Sequence, residues 1–192
     1  MLWDYEQVKK AIINDTFNIV GSINNSLRNT STWTGKGEVV LVLGRGNDVD
    51  TLNPLMCTAG TAFFLDNLIY SSMLGYVFNN GTIKPWLAES WEVSPDAKTY
   101  IFHLRKGVKW HDGTPFTSAD VKFTFELAKK YANKLANPDY AQAVLYLESV
   151  ETPDDYTVVF KLNKSYVPFL IYAITLWIIP KHIWENVEDP IT

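Results

Sequence analysis

His111 and Asp112 stand side by side, and an imidazole next to a carboxylate is half of a nucleophilic relay. A relay needs a nucleophile, and the chain has no G-x-S-x-G elbow and no activated cysteine. Asp112 precedes Gly113, so turn closure is the expected role. His103, His111 and His182 match no zinc spacing, and no H-E-x-x-H occurs. Gly44-Arg-Gly46 follows an apolar run like the start of a dinucleotide fingerprint. It lacks the third glycine, and the acidic stretch Asn47-Asp-Val-Asp50 would repel a phosphate. Cys57 is the only cysteine, which excludes an internal disulfide and predicts a buried, inert thiol. Glu89 and Glu92 are placed on opposite faces of one strand, and Asp154-Asp155 in a solvated hairpin turn. Neither pair can flank a glycosidic bond. No catalytic residue, metal site or cofactor is therefore predicted.

Aromatic faces are the remaining chemical resource. The chain has seven tryptophans, whose indoles pack cores or stack on sugars and peptide side chains. Trp177 is the best candidate for a binding role, because it opens a short apolar segment at which a cleft wall would lie. Of the residues, 47% are apolar, enough for a sizeable core, and the net charge of −4 argues against a nucleic-acid partner. Met1–Lys10 holds Asp4, Glu6, Lys9 and Lys10, so no signal peptide is expected there. The apolar run Tyr166–Pro180 spans about 15 residues, short of the ~20 that cross a membrane.

The elements that must position these residues are legible in outline. Tyr5–Val20 reads as a helix, Asn24–Gly37 as a linker, Glu38–Leu43 as a buried strand and Gly44–Pro54 as a polar loop. Ala59–Ser72 reads as a helix with Phe63, Leu65, Leu68 and Ile69 facing inward. Glu89–Val93 and Thr99–Leu104 are expected strands joined by a Pro95-Asp96 turn, with Tyr100, Phe102 and Leu104 on one face. Thr117 and Asp120 form a capping box before a helix over Ser118–Tyr131, with Val121, Phe125 and Ala128 as its apolar stripe. Leu147–Glu151 and Tyr156–Leu162 form a second expected hairpin across Thr152-Pro-Asp-Asp155. A helix over Val167–Thr175, a buried strand over Trp177–Ile179 and a short helix over Lys181–Val187 complete the reading.

Four pieces of the chain carry a resemblance. They are Thr51-Leu-Asn-Pro54, Pro85-Trp-Leu-Ala-Glu-Ser-Trp91, the long block Thr99–Val121 and Ile179-Pro-Lys-His-Ile183. With them, the segment from about Val39 to Asp189 resembles the extracytoplasmic solute-binding proteins of ABC importers, family 5. That branch binds oligopeptides, dipeptides, nickel chelates and some oligosaccharides.

The resemblance implies an α/β fold of the type II periplasmic-binding-protein kind. This chain would supply the first lobe: the start of its core subdomain plus an extra α/β subdomain, with the second lobe absent. Residues 1–37 match nothing in the family and are set apart from a partial lobe over 38–192. The implied function is solute binding without catalysis, outside the cytoplasmic membrane, with delivery to a membrane permease. Peptide and oligosaccharide are the two implied ligand classes. The implied ligand-facing residues are Asn53, Leu55 and Met56 from the loop after the first core strand, and Trp177. The block around His111-Asp-Gly113 is implied scaffold. The competing expectations are a folded domain with no ligand of its own and, less favoured, a glycan or peptide hydrolase.

Overall fold

The computed structural model describes residues 48–77 and 82–191. The helix expected over Tyr5–Val20, the linker over Asn24–Gly37 and the strand over Glu38–Leu43 lie outside the described residues. From Asp48 a loop leads into α1 (Gly60–Ile69). A two-stranded antiparallel hairpin follows, made of β1 (Leu74–Val77) and β2 (Thr82–Pro85). β3 (Ala88–Val93) and β4 (Thr99–Leu104) then pair with β5 (Leu147–Asp154) and β6 (Thr157–Leu162) in a four-stranded antiparallel sheet of order β3-β4-β6-β5. α2 (Ser118–Tyr131) and α3 (Pro138–Ala143) lie between the sheet's halves in sequence, and α4 (Phe169–Thr175) and α5 (Lys181–Trp184) follow it.

The sheet forms because its central strands alternate with period two. In β4, Tyr100, Phe102 and Leu104 are buried, as expected; in β6, Val158, Phe160 and Leu162 join them. Tyr100 pairs with Phe160 and Phe102 with Val158, so the two apolar rows coincide. α2 lays Val121, Phe125 and Ala128 on this face. Phe160 is the hub: its ring meets Phe125 at 4.7 Å, Phe169 at 5.1 Å and Phe102 at 5.7 Å between centroids.

The start of α2 is the expected capping box. Thr117 Oγ1 accepts from Ala119 N at 3.3 Å, and Asp120 Oδ2 accepts from Thr117 N at 2.9 Å. The box reaches further than its own helix. Asp120 Oδ1 accepts from Lys181 N at 2.9 Å, and the Thr124 hydroxyl accepts from Ile179 N at 3.1 Å, so α2 holds the segment that enters α5. Thr117→Ala removes one capping oxygen and should cost about 1 kcal/mol, read as a lower urea midpoint at unchanged m-value.

Three expectations need correction. Trp177–Ile179 is buried but is no strand; it makes a single bridge, Ser71 to Ile178. Side chains take the places of ladder partners: Tyr140 Oη donates to Trp177 O at 2.7 Å, and Ile179 N donates to Thr124. The second hairpin turns at Asp155-Tyr156, not across Thr152–Asp155, because β5 continues through Pro153 to Asp154. β5 is an edge strand, where a proline's missing N–H costs no ladder bond. On α1 the buried residues are Ala62 and Asp66, while Leu68 is 45% exposed. Apolar letters surround that helix, so periodicity alone could not select the inner stripe.

Candidate functional site

The segment from Asp50 to Ala59 is a loop closed by side chains. Asp50 Oδ1 accepts from Thr51 N at 2.9 Å. Its Oδ2 accepts from Thr58 N at 2.9 Å, Thr58 Oγ1 at 3.0 Å and Ala59 N at 3.0 Å. Asn53 is the inner template. Its carbonyl accepts from Met56 N at 3.0 Å and Cys57 N at 2.9 Å, and its Oδ1 accepts from Leu55 N at 3.0 Å. Asn53 Nδ2 donates to Pro190 O at 2.9 Å, tying the loop to the chain's last described turn.

α3 grips this loop from outside. Asn137 Nδ2 donates to Pro54 O at 3.0 Å, and Asn137 N donates to Leu55 O at 3.2 Å. One turn later, the Tyr140 hydroxyl holds the Trp177 carbonyl. A single short helix thus tethers both the 53–56 loop and Trp177. The sequence reading missed Asn137 and Tyr140. The signal was present: Asn137-Pro138-Asp139 is an N-cap followed by a proline at the first helical position, and Asn137 Oδ1 accepts from Asp139 N at 3.1 Å.

Of the candidates, Leu55 is fully buried and Trp177 is 5% exposed, whereas Asn53 and Met56 are half-buried. Trp177 packs its ring on Phe63 with centroids 5.4 Å apart, and its Nε1 donates to Asn67 Oδ1 at 3.2 Å. The Leu55 and Trp177 side chains are thus enclosed, while Met56 and Asn53 retain part of their surface. A shallow depression of about 310 Å³ between α2 and β5, lined by Glu126, Lys129 and Val150 among others, contains none of the four.

Packed with Trp177 is the Cys57 side chain, which forms an ionisable pair with Asp66. Cys57 is buried; burial, then the neighbouring Asp66, push its thiol well above the usual range, so it has no thiolate to use as a nucleophile. Asp66 is buried with neither carboxylate oxygen hydrogen-bonded, and burial pushes it up to about 6. Asp112 closes a turn, as expected, and its side chain also pairs with His182. Asp112 Oδ1 accepts from Thr114 N at 2.9 Å, and Oδ2 faces His182 Nε2 at 2.6 Å. The Thr114 amide, then His182, pull Asp112 down to about 2. Gly113 takes φ +87°, which favours glycine, so this block is a turn locked onto α5. Among the described residues, no group of three or more His, Cys, Asp and Glu side chains is placed to hold a metal ion. None of their helices is long and apolar enough to cross a membrane.

Comparison with known proteins places this geometry. A Brucella ovis protein that bears the name of an ABC transporter peptide-binding protein is 38% identical over 149 residues, covering 76% of this chain and 26% of the relative. The oligopeptide-binding protein AppA of Bacillus subtilis, solved with a nonapeptide, superposes with a TM-score of 0.64 at 32% identity, over 70% of this chain and 26% of AppA. A periplasmic oligopeptide-binding protein of Thermotoga maritima, solved with mannohexaose, gives 0.56 at 38% identity, over 62% and 21%. The chain thus spans about a quarter of the length of the curated relatives it matches. Its mixed α/β architecture is that of part of these periplasmic binding proteins. Residues 82–192 match the family described as bacterial extracellular solute-binding proteins, family 5, middle region, and the chain belongs to that family.

Proposed function

We propose that this chain forms part of the solute receptor of an ABC importer and supplies one wall of a binding cleft, with no chemical transformation of the ligand. The observation that carries the reading is the family match along residues 82–192. The loop geometry supports it: a wall fixed by its own side chains loses little entropy when a ligand arrives. The solute is an oligopeptide: the Brucella ovis relative is named a peptide-binding protein, and the Bacillus subtilis protein was solved with a nonapeptide. An oligosaccharide is the second reading, favoured by the mannohexaose complex. The receptor works outside the cytoplasmic membrane and hands its solute to a permease. The binding role is assigned to residues 38–192.

Affinity in such a clamshell comes from contacts that both lobes make on closing. Titration calorimetry of this chain with a nonapeptide and with mannohexaose tests the reading. Weak binding of one class is expected; submicromolar binding by this chain alone would refute the one-wall account. Turnover of either probe would refute the non-catalytic reading. Met56→Ala trims a half-buried side chain of the loop and should weaken the preferred probe about tenfold at unchanged melting temperature.

A further inference from the structure

Helix α1 begins at Ala59 without a cap from its own side chain. Orphan N–H groups at a helix start need an acceptor, and an ionised carboxylate is the strongest common one. Asp50, nine positions before Ala59, accepts from the amides of Thr58 and Ala59, the two that lead into the helix. One carboxylate binds the first amide of the loop through Oδ1 and the last two through Oδ2, so the loop is a ring closed at a single side chain. The bonds from Thr51, Asn53, Leu55, Met56, Cys57, Thr58 and Ala59 are then all internal. The ring thereby fixes where Met56 sits, packed against the core with part of its surface open.

We infer that Asp50 is the positioning residue of the ligand-facing loop: its carboxylate sets the loop's shape and thereby the placement of Asn53 and Met56. The inference rests on the proposed function for its link to ligand, and on hydrogen bonds alone for its link to loop shape. Burial is the largest single influence and pushes the carboxyl up, but the amides of Thr58, Ala59 and Thr51, with the Thr58 hydroxyl, together outweigh it and hold the group below the usual range.

Amide hydrogen exchange on the 192-residue chain tests the structural half. In Asp50→Asn and Asp50→Ala, the amides of Thr51, Thr58 and Ala59 should exchange about tenfold faster or more, while those of Phe102 and Val158 in the sheet keep their rates. Unchanged exchange at those three loop amides overturns the inference. If the alanine variant also loosens the sheet, the isosteric asparagine carries the comparison. Titration with the nonapeptide and with mannohexaose tests the link to ligand. Asp50→Asn should bind the preferred probe about tenfold more weakly with its melting temperature within a degree or two of wild type; equal affinity overturns the positioning role. A wild-type chain that binds neither probe counts against the proposed function, and the exchange result still decides what Asp50 does.

Discussion

Phe160→Ala should lower the unfolding free energy by about 3–5 kcal/mol, the largest loss expected from any single substitution considered. Phe160 is 0% exposed and contacts three other rings, Phe102 across the sheet, Phe125 from α2 and Phe169 from α4. Its removal takes away the transfer free energy of a buried aromatic ring and leaves a cavity lined by stiff groups that relax little. The edge-to-face geometry with Phe102 and Phe125, at 85° and 62° between planes, adds a smaller attraction beyond area burial. Urea unfolding followed by circular dichroism gives the number. A loss below ~1 kcal/mol would mean that the sheet, α2 and α4 do not share one core. Phe160→Leu should recover part of the loss, since the packing volume is partly restored.

What could be read from the sequence follows the range of the interactions involved. β4 was legible because alternation over six residues is a local property, and its buried face is the predicted one. The capping box was legible because its two bonds span only two and three residues. The β1-β2 hairpin was not read, since each strand is only four residues long and β2 is mostly exposed. Trp177–Ile179 looked like a strand because apolar runs do; only the fold shows that Tyr140 and Thr124, at 37 and 55 residues' separation, occupy its backbone groups. The same holds for the candidate site. Family resemblance pointed to Asn53, Leu55, Met56 and Trp177, but it carried no information on burial, and Leu55 and Trp177 prove to be enclosed. The acceptor role of Asp50 toward Thr58 and Ala59 was invisible, because an aspartate in a polar loop reads as a solvated charge until the loop is closed.

Asp66→Asn should stabilise the protein at neutral pH, by about 2–3 kcal/mol at pH 7.5, and should leave it nearly unchanged near pH 4. Asp66 is 0% exposed, and neither of its oxygens has a hydrogen-bond partner. A buried carboxylate without donors is disfavoured by desolvation, and the adjacent Cys57 thiol offers only a weak compensation. Asp50 carries a second negative charge nearby and pushes in the same direction. The result is a folded-state value of about 6 against an ordinary value of 3.8. The folded state therefore binds the proton more tightly than the unfolded chain. The stability that this proton confers is fully present below the ordinary value, falls as pH rises between the two and is lost once pH passes about 6. Asparagine resembles the protonated acid in shape and charge, and it leaves a similar number of polar atoms unpaired. The variant should thus match wild type where Asp66 is protonated and exceed it where Asp66 would ionise. Other titrating groups are common to both proteins and cancel in the difference. Urea midpoints for the pair at pH 4, 6 and 8 give the curve directly. A difference that stays constant across this range would show that Asp66 is paired in solution, and that the buried acid beside Cys57 is already neutralised by a donor.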